Sequence, residues 1–300
     1  MTGSQGDGDL EAMARRLERS GDFRVLRRFV PRGRYHEADG SVLRTAMMLD
    51  LETTGLNPSE DEIIEIGICP FTYSPDGRIF EILPSFHRLR EPSVSIPPEI
   101  TRLTGLDDAA VSGRRLDPSE VAEFIEPADL IVAHNASFDR VFLERFCSTA
   151  SAKPWACSMS QAPWAEEGFE GVRLSVIAAG FGLFHDAHRA LNDCELAIEI
   201  LARPLPESGR PAFSFVLEAA RQATVRIFAD GAPFGLKDRL KSRGYRWSGD
   251  GGLRPRVWYR DVAEDEAAAE TAWLVEAGCP RRPGPESRRI TAFERYSERV

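Results

Sequence analysis

Residues 46–51, AMMLDL, form a short apolar run that breaks at once into the turn-rich TTGLNPSED, and two carboxylates, Asp50 and Glu52, stand at the break. An apolar run of this length bounded by turn residues reads as a buried strand. Side chains on a strand alternate faces, so a D-x-E pair sends both carboxylates to one side. The fold must therefore deliver two like charges to one spot at the end of a buried element. Two solvated acids in a strand-end turn would meet that demand. A divalent cation would also meet it, Mg²⁺ in particular binding through one or two carboxylates together with substrate phosphate.

The segments that follow predict a mixed α/β domain. EIIEIGICPFTY, the turn SPDG and RIFEILPSFHRL read as strand, hairpin and strand. Pro97-Pro98-Glu99 opens a short helix, and Asp117-Pro118-Ser119-Glu120 supplies the N-cap, N1 proline and early acid of another. Residues 129–133, DLIVA, are a fourth strand, turning through His134-Asn135-Ala136-Ser137 into a helix over 138–146. Further helices are expected over 171–179 and 190–201, the latter with Leu191, Cys194, Ile198 and Leu201 at core-facing spacing. Strands first and alternating helices later is an α/β pattern.

Upstream, LEAMARRLERS reads as a helix stopping near Ser20-Gly21, followed by a short extended piece before Pro31. The proline-rich ARPLPESGRP reads as a linker to a smaller α+β unit. There a helix over 211–223, the strand TVRIFA, a basic helix ending at Gly244, the strand VWYRDV and a helix over 263–277 are expected, then a tail or edge strand. The predicted organisation is a basic helical appendage over 1–40, a main domain over 41–205 and an auxiliary unit over 206–300.

With 42% hydrophobic residues the chain can bury a large core. Its longest uncharged apolar stretch, residues 174–184, falls short of the roughly 18 residues of a membrane span. The polar, acidic N-terminus lacks the basic start and apolar run of a secretory signal. No membrane association is expected, and the cytoplasm is the expected location. Five widely spaced cysteines without a CxxC pair argue for reduced core thiols.

Two later segments change the meaning of the carboxylate pair. HNASFD places Asp139 in the first turn of a helix after an apolar strand, and HDAHRALNDC places His188 five residues before Asp193. Three aspartates, a glutamate and a histidine thus sit at junctions that can aim them at one point. Such a set fits two-metal phosphodiester hydrolysis, in which two cations roughly 4 Å apart serve the attacking and leaving oxygens. A histidine, with an ordinary pKa near 6.5, can take the proton from water.

The strings DLETTGL (50–56), HNASFD (134–139) and HRALND (188–193) resemble the three motifs of the DEDDh 3′–5′ exonucleases, the family of the DNA polymerase III epsilon subunit and ribonuclease T. The resemblance runs from about Thr45 to Leu201. It implies a ribonuclease H-like fold, a central mixed sheet flanked by helices. It further implies that Asp50, Glu52, Asp139 and Asp193 hold two divalent cations, Mg²⁺ or Mn²⁺, with Asp50 bridging them and His188 as general base. The HRA-x-x-D spacing selects His188 over His185, which is left as a loop residue. Thr53, Gly55 and Leu56 would line the terminal-nucleotide site, Leu56 as a wedge at the last base. His134, Asn135 and Phe138 would touch the nucleotide from the other side. Core packing is the alternative for Leu56 and Phe138, and an acid merely neighbouring the site is the reading of Glu65. Where the family often carries Asp-Thr, this chain has Cys157-Ser158.

The net charge of −9 argues against a nucleic-acid partner only until its distribution is read. Residues 11–35 carry eight arginines against three acids, and residues 224–262 carry nine basic residues against four acids. The acid is concentrated between them. In the second basic segment Lys237, Lys241, Arg243, Tyr245, Arg246, Trp247 and Trp258 interleave charge with aromatic rings, as single-stranded nucleic acid requires. A small core on Trp247 and Trp258 beneath a solvated basic helix is the alternative. The expected partner is the 3′ end of single-stranded or frayed DNA, with nucleoside 5′-monophosphates released, in association with a replicative polymerase or repair machinery. RNA trimming and non-catalytic nucleic-acid binding are the competing functions.

Overall fold

The computed structural model describes residues 4–248, 256–279 and 287–299. In chain order the elements are α1 (Ser4–Ser20), β1 (Arg27–Arg28), β2 (Arg44–Thr53), β3 (Ile63–Tyr73), β4 (Ile79–Ile82), β5 (Phe86–Leu89), α2 (Pro98–Thr104), α3 (Asp108–Val111), α4 (Pro118–Ile125), β6 (Leu130–Ala133), α5 (Ala136–Phe146), β7 (Trp155–Cys157), α6 (Leu174–Gly180), β8 (Leu183–Phe184) and α7 (Ala190–Ala202). There follow α8 (Ala212–Arg221), β9 (Thr224–Phe228), α9 (Lys237–Ser242), β10 (Arg246–Trp247), β11 (Trp258–Ala263), α10 (Ala267–Glu276) and β12 (Arg288–Ile290).

A six-stranded mixed sheet forms the centre, in the order β4-β3-β2-β6-β7, with β5 also paired to β3. β2 and β3 are antiparallel over ten register pairs, whereas β6 runs parallel to β2 and β7 parallel to β6. The strands β2, β3 and β4 are neighbours, as the hairpin signal predicts. β2 is buried on both faces, which is why its sequence is continuously apolar. Ala46 and Met48 join the cluster under α6, α7 and α8, while Met47, Leu49 and Leu51 join the cluster under α4 and α5. Each fully buried Met or Leu contributes about 1.5–3 kcal/mol, so this strand is anchored strongly enough to hold charged groups at its end. By the same alternation Asp50 and Glu52 fall on the face covered by α7. All five cysteines are free and buried.

The N-terminal segment lies along this domain. β1 pairs parallel with β8, and the Arg32 guanidinium makes two hydrogen bonds to the buried Glu199 carboxylate, at 2.6 and 2.9 Å. Beyond α7, the helix α8 packs on the same sheet: Phe213 is fully buried and meets Phe71 and Tyr73 edge-on, with ring centroids 5.3 and 5.2 Å apart. Gly77 in the hairpin turn makes room for it. Its φ of +88° suits only a glycine-like residue, and an added Cβ would stand 2.4 Å from Ser214 Cα.

The smaller unit is an antiparallel sheet in the order β10-β11-β9-β12, closed by a core of Ile227, Leu236, Leu240, Tyr245, Val262 and Leu274. After β12 the chain returns to the main domain, where the amide of Trp155 donates to Ala292 O at 2.8 Å. Arg140, fully buried in α5, donates to the carbonyls of Ala292, Phe293 and Arg295 and to the Glu144 carboxylate.

Candidate active site

Asp50 stands opposite Gly67 on β3, and Glu52 opposite Glu65. The first turn of α7 rests directly on Gly67: a Cβ there would lie 2.6 Å from Ala190 C and 2.7 Å from Leu191 N. That close approach brings Asp193, in the same turn, over the end of β2. Ligand atoms of Glu52, His188 and Asp193 lie within 4.8 Å of one another. Asp139 arrives from the first turn of α5 on the opposite side. It is buried, and its Oδ1 accepts a hydrogen bond from the Leu51 amide at 3.1 Å.

Packing these acids together raises the proton affinity of the group. Burial, reinforced by Asp139, Asp193, Glu52 and Glu65, pushes the Asp50 carboxyl well above the usual range. Burial pushes Glu52 to about 8, with Asp193, Glu65 and Asp139 adding and Arg189 opposing. Burial also raises Asp139 to about 8 against two backbone hydrogen bonds that favour its ionised form. Asp50, Glu52 and Asp139 thus crowd negative charge that their neighbours offset only in part, and the donor set is all oxygen apart from one imidazole. Hard divalent cations such as Mg²⁺ and Mn²⁺ suit it. The residues present fit the cations that the motifs imply.

His188 adopts a left-handed φ of +62°, unusual for a residue with a Cβ and costing about 1–2 kcal/mol. A hydrogen bond from its amide to Asp193 Oδ2, 2.8 Å, holds it, and its side chain faces solvent. His185 is not a bystander: its Nε2 is 2.5 Å from Asp193 Oδ1, and its side chain is buried. Glu65, also buried, is bound by His87 Nε2 at 2.6 Å, by the Arg189 guanidinium and by the Ala190 amide, so it clamps the start of α7. Sequence reasoning missed Gly67 and the contact of His185. It placed Glu65 beside the site without its partners.

The loop after β2 is built on Asp61. Its carboxylate accepts from Thr54 Oγ1 at 3.0 Å and from the Asn57 amide at 2.8 Å, and a Cβ at Gly55 would collide with it at 2.5 Å. Thr53 Oγ1 donates to Gly55 O. Leu56, at the tip, is 83% exposed, so core packing does not explain it. Phe138 does pack inward, its ring 4.8 Å from that of Phe142, while remaining half-buried. Asn135 has a φ of +91° and accepts from Ser137 Oγ. Both ring nitrogens of His134 are engaged, Nε2 donating to Val172 O at 2.8 Å and Nδ1 accepting from Ser158 Oγ at 2.9 Å. Burial lowers this ring to about 4, which keeps it neutral. Cys157-Ser158 therefore has a function in the site region: Ser158 holds His134.

The structure separates the basic and aromatic residues of the smaller unit. Lys237, Lys241, Trp247 and Trp258 line one depression together with Phe234. Arg243 and the buried Tyr245 are both bound by Glu270. Arg246 lines a different cleft, with Tyr259, Tyr296 and Ser137.

The sequence profile of the family described as RNase_T: Exonuclease matches residues 47–201. The DNA polymerase III subunit epsilon of Treponema pallidum (strain Nichols) is 35% identical over 161 residues, 50% of this chain and 72% of that protein. The same subunit of Aquifex aeolicus (strain VF5) is 29% identical over 54% of this chain and 81% of its own length. The PolC-type DNA polymerase III of Clostridium perfringens (strain 13 / Type A) is 31% identical over 52% of this chain but only 11% of that protein. Among solved structures, the zinc-bound E. coli ExoI–ssDNA complex superposes with a TM-score of 0.50 at 15% identity, covering 79% of this chain and 68% of that one, a likeness of fold.

Proposed function

This chain belongs to the exonuclease family and is a 3′–5′ exonuclease, and on that premise we propose that it removes nucleotides from the 3′ end of single-stranded or frayed DNA, releasing nucleoside 5′-monophosphates. The convergence of Asp50, Glu52, Asp139 and Asp193 at the end of β2 carries the reading of the chemistry. The epsilon subunits and PolC-type polymerases among the relatives are named for DNA synthesis, which favours DNA over RNA and proofreading or repair over RNA turnover.

In this reading the four carboxylates hold two Mg²⁺ or Mn²⁺ ions. Bound there, the pair would polarise the scissile phosphate and stabilise charge on the attacking and leaving oxygens. The chain's own residues do the rest. The left-handed backbone at His188 turns its side chain outward beside Glu52 and Asp193, where a ring nitrogen can take the proton of the attacking water. Leu56, held out by the Asp61-centred loop, abuts the last base. Phe138 and Asn135 bound the nucleotide from the α5 side, and His134 fixes the adjoining backbone through Val172.

The test is release of labelled mononucleotide from matched DNA and RNA oligomers in Mg²⁺ or Mn²⁺. Cation stabilisation of several kcal/mol corresponds to about three decades or more in rate, so Asp50→Ala and Asp193→Ala should each lose activity on that scale. Undiminished release by either variant sinks the assignment. Faster trimming of RNA would favour the ribonuclease reading, and tight binding without degradation in metal the non-catalytic one.

A further inference from the structure

On the smaller unit, Phe234, Trp247 and Trp258 surround a depression of about 560 Å³ whose charged lining among the described residues, Lys237, Lys241 and Arg256, is entirely basic. Phe234 is 88% and Trp247 47% exposed, large apolar surfaces that the core of this unit does not use. Trp247 and Trp258 are direct cross-strand partners, and their rings meet at 59° with centroids 5.3 Å apart, forming a corner. Phe234 follows Pro233, whose ring restricts the backbone that presents it, and Lys237 Nζ stands 5.8 Å from its ring centroid. Strand alternation sends the neighbouring Arg246 to the other face, so the depression is a feature of one side of the sheet.

We infer that this depression is a second nucleic-acid site, which grips a single-stranded DNA segment apart from the reacting 3′ terminus by stacking bases on Phe234 and Trp247 and drawing phosphates to Lys237 and Lys241. The inference takes DNA as the substrate from the proposed function. Charge complementarity selects the occupant: a polyanion is what an all-basic rim attracts, and bases with free faces are what exposed rings can stack. A duplex offers the charge without the faces.

The experiment titrates the full-length protein against fluorescein-labelled dT20 in EDTA, following anisotropy at several salt concentrations, so that binding is read without hydrolysis. Phe234→Ala and Trp247→Ala should each weaken binding by roughly five- to a hundred-fold, the range of one lost base–aromatic stack. Lys237→Glu with Lys241→Glu, both exposed and no threat to the core, should weaken it further and lower the slope of log K against log salt by about 0.7 per lost phosphate contact. Wild-type affinity in the aromatic variants, with melting unchanged, overturns the inference. So does loss of a dimer in sedimentation without loss of dT20 affinity, which would make a second copy of this chain the occupant. Hydrolysis of DNA with aromatic-insensitive binding sinks this site alone. Aromatic-dependent binding with no hydrolysis in Mg²⁺ sinks the proposed reaction and keeps the site.

Discussion

Gly67 acts by having no side chain. Any Cβ on it would enter the backbone of α7 at Ala190, and α7 carries Asp193. Gly67→Ala should therefore destabilise by about 1–3 kcal/mol, the usual cost of overpacking, while lowering kcat by more than the unfolded fraction explains, because Asp193 is displaced from Glu52. Thermal melting alongside steady-state kinetics measures both. An alanine variant with native kcat would show that α7 can move without disturbing the acids. The two histidines make a second contrast. His188→Ala should lower kcat by about 10²–10⁴, the range of a general base. His185→Ala, which takes a partner from Asp193, should lower kcat less, as steady-state kinetics on the two variants would read; the reverse ranking would exchange their roles. The carboxylates were legible in the sequence because period two and the positions of strand and helix ends fix their direction. Gly67 and His185 were not, since one works through an absent atom and the other through a loop that folds back on its own helix.

At the level of elements, β2 and the first turns of α5 and α7 place like charges together in surroundings that water does not screen. Glu52 and Asp139 bind protons up to about pH 8 in the folded chain, against 4.5 and 3.8 ordinarily. Folded-state values above the unfolded ones mean that this contribution to stability is complete below about pH 4 and lost as pH rises through about 8. His134, lowered to about 4, has the opposite sign: its contribution is lost as pH falls below its ordinary 6.5. The two are separated by comparing melting with and without metal, since His134 is common to both. Mg²⁺ should raise Tm more at pH 8 than at pH 6, because at the lower pH it must displace protons. At about 2–4 °C per kcal/mol the difference is easily measured by calorimetry. An equal rise at both pH values would mean that these carboxylates do not hold the ion. The same elements show where sequence patterning succeeded. The apolar β2, the hairpin and the capped α4 follow from residue type and spacing alone. The packing of α8 does not, because an amphipathic helix after a proline-rich stretch states that it has a partner without stating which.

For the whole molecule, the C-terminal segment decides how separable the parts are. Its basic and aromatic unit reads from sequence as detachable at about residue 206, yet α8 contributes Phe213, Val216 and Leu217 to the main core, and residues 292–299 run back across α5 and β7. Removing residues 206–300 should thus cost the fold as well as strand binding. A point variant tests the connection more cleanly. Arg140 is fully buried, and its guanidinium satisfies three carbonyls of the returning segment and Glu144 at once. Arg140→Ala removes all of these bonds and strips Arg295 O and the Glu144 carboxylate of a buried cationic partner, and breaking a buried charged pair typically costs about 3–5 kcal/mol, on the order of 10 °C in Tm for a chain of this size. Because the lost bonds hold residues 292–295, proteolysis after mild trypsin treatment should begin in that segment, at Arg295 or Arg299, before the main domain is cut. Cleavage that instead starts uniformly, with Tm unchanged, would show that the segment is held by its other contacts, Trp155 N to Ala292 O and Ser297 to Glu144. A segment released while the exonuclease domain stays folded would leave the strand-gripping unit tethered near α8, so binding to a long single strand should weaken more than cleavage of a short one.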